Sequence, residues 1–414
     1  MSVTQSMMTE KSTPSAAGPG DTIVVIGAGS TGLSTAYSLS KAGRRVVVID
    51  KGQVASGMTG LSTAIVRTHY SNELVAAMAL YSLKALYDFG RVGESGFVRA
   101  GMVFLATPEH VEGLARNLPM LERVGVRSEL VELGEAARRF PDLSFEGCGG
   151  VVYEPESGYA DPSAVSGSYA RAAQNLGATL MLGEAAVRVE SGRGRCVVRL
   201  AGGSHLTCSK VVLCTNVWSN RLLRASGVAE ADLLPITSSV HPVAVYRRPD
   251  SFRGNKPVVL DDPAKAYYKP DGQALLIAGS LDPVLDEQDS DPDALPARTS
   301  PFLVERLTQA VVSRVAAMGE GNLLSTFNGM YDMTPDQHPI VDELASIGLP
   351  GVYCCVGLSG HGFKLCPALG VMTAQMVTGV EPDLMTFDNR QLSLSRFKEG
   401  RLLTSSYSGL ATVA

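Results

Sequence analysis

An α/β fold is predicted for this chain of 414 residues by three observations near its start. The stretch "TIVVIGAG" is apolar on both faces, as a strand inside a parallel sheet must be. It runs directly into "STGLSTAYSLSKAG", whose apolar residues recur at helical spacing and which stops at Gly43. "RRVVVID" then returns as a second buried strand. Such a β-α-β unit cannot cover both of its own faces, so it requires a larger sheet.

The later elements follow the same logic. "ELVAAMALYSLKALYDFG" predicts a helix over 73–90, and "DPSAVSGSYARAAQNLGATLML" a helix from Pro162 to Leu176 followed by a strand. "KVVLCTNVWSNRLL" reads as a buried strand, a turn and a helix. From about Pro235 to Gly279 the pattern changes to strands joined by turns such as "PDG", which suggests an antiparallel sheet in a second domain. "LDEQDSDPDALPARTSP" is acidic and proline-rich, an exposed loop with solvated aspartates. "FLVERLTQAVVSRVAAMG" follows as a helix; "GVYCCVG" is a last buried strand and "PALGVMTAQMVTG" a last helix.

The net charge of −5 gives no electrostatic reason to expect nucleic acid as a partner. No stretch approaches the roughly 18 apolar residues that a membrane span needs. The seven cysteines lack metal-ligand spacing; read as free thiols, they imply no metal and a reducing, cytoplasmic location. The first twenty residues are polar and rich in Ser, Thr, Gly and Pro, a flexible tail.

Gly27, Gly29 and Gly32 form G-x-G-x-x-G at the first strand-to-helix junction, with Ala28, Ser30 and Thr31 between them. There the glycines permit the tight turn, the approach of a pyrophosphate and the close packing of helix on strand. Asp50 ends the second strand eighteen residues past Gly32, where an acid can bind ribose hydroxyls and would repel the extra phosphate of NADP. The fingerprint alone leaves FAD and NAD open. "KGQVASGMTGLSTAIVR", a long small-residue loop without helical pattern, favours the more extended FAD.

Four blocks now carry a resemblance: "VVIGAGSTGLSTAYSLSKAGRRVVVIDKG", "ASGMTGLSTAIVRTHY", "NGMYDMTPDQHPIV" and "GLSGHGFKLCPALG". The chain resembles the FAD-dependent amine and amino-acid oxidoreductases related to D-amino-acid oxidase, in particular the sarcosine oxidase and dimethylglycine dehydrogenase branch. The resemblance implies a Rossmann-type FAD-binding domain (21–100, 155–234 and 325–392) and an inserted, mostly antiparallel α+β substrate domain (101–154 and 235–324), with a C-terminal extension over 393–414. It implies cofactor contacts from the first glycine loop, from Asp50, Lys51, Ser56 and Thr63, and from Val187 at the adenine end. Thr215 and Trp218 fall in a second nucleotide-contacting turn. Gly357, Gly360, His361, Gly362, Phe363 and Lys364 belong to a loop over the flavin ring.

By the same resemblance Arg67 and Lys364 pair with a substrate carboxylate, and Tyr331 and His361 complete the catalytic set. An anchored carboxylate holds the adjacent C–H over flavin N5, so that a hydride leaves as the amine becomes an imine, which water hydrolyses. Oxidation of a 2-hydroxy acid is the alternative, and would need His361 or His241 as a base. A third reading is the flavin subunit of a hetero-oligomeric amine dehydrogenase. The electron acceptor is oxygen or a carrier. Departures from the family pattern also count. Gly329 stands where monomeric sarcosine oxidases carry the cysteine that attaches flavin covalently, and nothing near "GLSTAIV" offers the histidine that attaches it in the dimethylglycine dehydrogenases, so FAD is expected to be non-covalent. Ile277 and Leu281 stand where sarcosine oxidases place an oxygen-activating lysine and a pocket histidine, which favours a dehydrogenase.

Overall fold

The computed structural model describes residues 21–192, 194–282, 287–379 and 389–403. The expected tail 1–20, residues 404–414 of the C-terminal extension and residues 283–286 of the acidic loop lie outside the described residues.

The chain is an α/β protein built on a six-stranded sheet. Ile23–Ile26 lies inside it, parallel to Val46–Asp50 on one side and Lys210–Leu213 on the other. Thr179–Leu182 extends the first side and Val352–Val356 the second, both in parallel, and Ile340–Glu343 closes the edge antiparallel. Ile23–Ile26 and Val352–Val356 are buried along their whole length, because helices cover both faces. The strand order reverses direction at Ile23–Ile26, and open sheets bind ligands beyond the carboxyl ends of strands at such a point. Gly27 leaves one of these ends and Gly357 another, with only Lys210–Leu213 between them. Two glycine-rich turns more than three hundred residues apart therefore open on one crevice.

Close helix packing fixes the crevice floor. Ser30–Lys41 buries Leu33, Ala36 and Leu39, and a Cβ on Gly32 would overlap the carbonyl of Gly27. The last long helix, Gly362–Thr378, approaches so tightly that a Cβ on Gly370 would overlap Ser34. That helix starts earlier than the sequence predicts. Pro367 lies inside it, so Gly362, Phe363 and Lys364 form its first turn rather than a loop.

A second sheet has nine strands, in the order Glu287–Gln288, Thr237–Arg247, Leu275–Ser280, Ala266–Asp271, Val258–Asp261, Met102–Ala106, Gly150–Glu154 and Glu129–Val131, with Asn322–Met333 also pairing with Thr237–Arg247. All its pairings are antiparallel except Val258–Asp261 beside Met102–Ala106. The expected domain boundary between 324 and 325 falls inside the strand Asn322–Met333. Helix Pro301–Arg314 covers one face, packing Leu307 and Val311 with Tyr246, Leu276 and Ala278. A three-stranded meander, Ala186–Gly192, Arg195–Leu200 and His205–Cys208, was not anticipated from the sequence.

The end of the described chain is tied to the core. Arg396 is fully buried and grips Asp336 through two nitrogens at 2.7 and 2.9 Å, while a third contact reaches the His338 carbonyl at 2.8 Å. Among the described residues, no helix is long and apolar enough to cross a membrane.

Candidate functional site

A cavity of about 820 Å³ runs along the crevice between the two sheets. Its first end is the glycine cradle: Gly27, Gly29, Ser30, Thr31 and Gly32 line it. Helix Ser30–Lys41 starts here with Gly29 as its N-cap, which brings no side chain of its own; Thr59 Oγ1 accepts the Ser30 N–H at 3.1 Å. The amides of the first turn and the helix dipole favour an anion. Gly27 has φ +116°, and a Cβ there would overlap the Cys214 carbonyl; on Gly29 it would come within 2.9 Å of Thr59 Oγ1. Ala28 is buried behind the cradle and donates its N–H to Asp50 Oδ2 at 2.6 Å, while Asp50 Oδ1 accepts from Gly52 at 2.7 Å. The Asp50 carboxylate thus shapes the loop as well as lining the cavity.

Ser56, Thr63, Thr215 and Val187 continue the wall, and so do Lys51 and Trp218. The last two meet: Lys51 Nζ stands 4.1 Å from the centre of the Trp218 ring. Above them comes an unexpected residue. Asp293 of the acidic loop is exposed, as expected of its aspartates, but it also has partners: its Oδ1 accepts from Lys51 Nζ at 2.7 Å and Trp218 Nε1 at 2.8 Å, and Oδ2 pairs with Arg221. Three donors converge on it, and the Lys51 hydrogen bond is the main reason its carboxyl falls to about 2. With Pro292 and Leu295 it carries a strap from the second sheet across the cavity wall. Replacing Asp293 by Asn should speed release of a bound nucleotide cofactor by about fivefold, the equivalent of ~1 kcal/mol for an exposed ion-pair network. Flavin fluorescence recovered on dilution measures this; an unchanged rate would show that the strap does not hold the cofactor.

At the other end Tyr331 lines the cavity and stacks on His241, ring centres 3.7 Å apart and planes inclined by 29°. The sequence favours a packed strand histidine at 241; the structure makes it part of the wall, with burial lowering its imidazole to about 3. Tyr267 lines the cavity while Tyr268 turns into the core, the alternation expected of a strand. Gly360, at φ +79°, lets the last turn pass against the Tyr331 ring, where a Cβ would stand 2.9 Å away; Gly362 and Phe363 complete this end.

Arg67, His361, Lys364 and Gly357 are not among the lining residues; they form a layer directly behind it. The Arg67 guanidinium lies 3.9 Å from the centre of the Tyr70 ring and donates to the His69 carbonyl at 2.5 Å. The Tyr70 hydroxyl meets His361 Nδ1 at 3.1 Å, and His361 Nε2 is buried without a partner. Lys364 Nζ donates to the Gly360 carbonyl at 3.0 Å. Burial, and then the Arg67 charge, push Lys364 well below the ordinary lysine range; burial, then Lys364 and Arg67, do the same to His361. The backbone at 68–69 is fixed by a residue the sequence did not single out. Glu154, fully buried, accepts from Thr68 N and Oγ1 at 2.7 Å each, from His69 N at 3.1 Å and from Ser157 at 2.7 Å.

The sequence profile described as "FAD dependent oxidoreductase" (DAO) matches residues 22–376. The chain belongs to the DAO family of FAD-dependent oxidoreductases. This FAD-dependent oxidoreductase is 27% identical over 401 residues to the sarcosine oxidase subunit beta of Rhodobacter capsulatus, covering 93% of this chain and 90% of that one. Its fold is similar to that of the L-proline dehydrogenase of P. horikoshii, with a TM-score of 0.84 at 24% identity over 93% of this chain and 99% of that one. The glycine oxidase of Geobacillus kaustophilus follows at 0.78 and 21%, over 90% and 98% of the two chains. The residues present fit FAD: a helix N-terminus whose N-cap is glycine and a glycine-rich cradle with small hydroxyl side chains suit its pyrophosphate, and the cavity continues along the crevice for the rest. All seven cysteines of the oxidoreductase are free.

Proposed function

We propose that this oxidoreductase oxidises the C–N bond of an amino acid or N-alkyl amino acid to an imine that water hydrolyses. Bound FAD supplies the two-electron acceptor. The observation that carries the reading is the placing of two cationic side chains, Arg67 and Lys364, within each other's field behind one end of the cavity. Like charges in a buried layer raise each other's cost, and a carboxylate drawn between them lowers it. The anchor orients the substrate, and Tyr331, His241 and Tyr267 give it a flat, mainly apolar wall that excludes water. Neither histidine is a strong base: His241 is lowered to about 3 and His361 well below its usual range, so both are neutral and weakly basic at pH 7. That suits an amine entering unprotonated better than a 2-hydroxy acid, whose hydroxyl proton needs a base matched to the working pH.

Gly329, which lines the cavity, brings no side chain for a covalent link, in keeping with non-covalent FAD. Ile277 and Leu281 offer no cation to stabilise reduced oxygen, which supports a dehydrogenase passing electrons to a carrier. The relative named as a subunit supports work within a hetero-oligomer. Seven free thiols suit a reducing cytoplasm. The test is anaerobic bleaching of the flavin absorbance by N-methyl and cyclic amino acids beside 2-hydroxy acids. Bleaching by the amino acids is expected; bleaching by hydroxy acids alone would overturn the proposal.

A further inference from the structure

Asn216 occupies the turn after strand Lys210–Leu213 at φ +47°, a left-handed conformation that Asn tolerates better than most residues. It lines the cavity. Its Nδ2 donates to Asp332 Oδ1 at 2.7 Å, and its Oδ1 is buried with no hydrogen-bond partner. Asp332 is wholly buried on strand Asn322–Met333 and also lines the cavity; its Oδ2 accepts the Gly357 N–H at 2.6 Å. One carboxylate from the second sheet therefore joins the turns that leave two neighbouring parallel strands, Lys210–Leu213 and Val352–Val356.

An ionised carboxylate only accepts hydrogen bonds, so it turns Nδ2 of Asn216 towards itself and leaves Oδ1 as the free end of the amide. A buried acceptor left unsatisfied carries the penalty of its lost hydration, which a donor on a bound molecule recovers. We propose that Asn216 is a binding residue for FAD, its Oδ1 accepting a hydrogen bond from a hydroxyl or N–H of the cofactor, and that Asp332 is the positioning residue that sets the polarity of this amide. The inference rests on FAD binding and not on the choice of substrate.

The test is titration of FAD into apoprotein at pH 8.5, above the value of about 7 to which burial raises Asp332. Asn216→Gly removes the acceptor at a backbone angle that glycine adopts freely, and should weaken FAD binding about tenfold, the loss of one hydrogen bond. Asp332→Asn keeps shape and the bond from Gly357, but its amide nitrogen now donates to Asn216 Oδ1 and turns the Asn216 amide over. It too should weaken binding about tenfold. In the double variant the Asp332→Asn penalty should vanish, since no amide remains to misorient. Wild-type affinity in Asn216→Gly overturns the proposal on its own, whether or not Asp332→Asn folds. Penalties that add in the double variant give Asp332 a merely structural role and overturn the positioning claim.

Discussion

Replacing Arg396 by Met is expected to destabilise the protein by about 3–5 kcal/mol, the usual cost of removing one partner from a buried ion pair. The geometry puts this pair at the upper end. Arg396 and Asp336 are both almost completely shielded from water and meet through two parallel hydrogen bonds, at 2.7 and 2.9 Å. Arg396 also serves the carbonyls of His338 and Ser393, and Asp336 accepts the N–H of Leu403. Burial alone would raise the Asp336 carboxyl, but the guanidinium overrides it and holds the group below the ordinary range. A depressed carboxylate contributes stability above the unfolded-state value of about 4, and that stability is lost as pH falls through the folded value. In Arg396→Met the sign reverses. Asp336 is then raised by burial, so the variant should become less stable as pH rises from about 4 towards neutrality. Urea unfolding at several pH values tests both points, and adding Asp336→Asn should recover part of the loss. A variant as stable as the parent would mean that the C-terminal segment is not held by this pair.

This pair lay outside what the sequence discloses. Arg396 sits in "SRFKEG", a polar stretch that looks like a solvated end; only the path of the chain carries it back to Asp336. The first β-α-β unit was legible for the opposite reason. Its strands are apolar on both faces, and Gly27 and Gly32 occupy positions where a Cβ overlaps backbone, so local pattern and global fold make the same demand. The strand segments of the second sheet were legible as segments, but period-2 alternation does not say which face meets the cavity. His241 was accordingly read as packing, although Tyr267 and Tyr268 did divide between the faces.

The GHGFK segment shows a subtler miss. The helical pattern in "PALGVMTAQMVTG" places the start of the helix at Pro367; the helix begins instead at Gly362 and carries Pro367 within it. Helical geometry then directs Lys364 back over the turn before it, onto the Gly360 carbonyl. Asp293 and Asp332 were missed because their partners are remote. Lys51 is 242 residues from Asp293, and Asn216 is 116 residues from Asp332. Asp332 did have one local signal, its place beside Tyr331 in "GMYDMTP".

Lys364→Met should slow anaerobic flavin reduction by a subsaturating amino acid on the order of 10–100-fold, the worth of one charge-assisted hydrogen bond to a carboxylate. FAD retention should change little, because Lys364 stands at the Tyr331 end, its Nζ donating to the Gly360 carbonyl, away from the glycine cradle that suits the pyrophosphate. The discriminating control is an amine without a carboxylate. If the lysine acts as an anchor, Met at this position leaves reduction by that amine unaltered, or quickens it, since a buried charge beside Arg67 has been removed. The pH dependence adds an independent sign. Lys364 is depressed by burial and by Arg67, so its charge is present below its folded pKa and disappears as pH rises through it. Affinity for a carboxylated substrate should therefore fall on the alkaline side in the parent, while the Met variant, already lacking the charge, should lose that limb of the profile. Equal losses with carboxylated and carboxylate-free amines would place Lys364 in the scaffold and leave Arg67 to hold the acid alone.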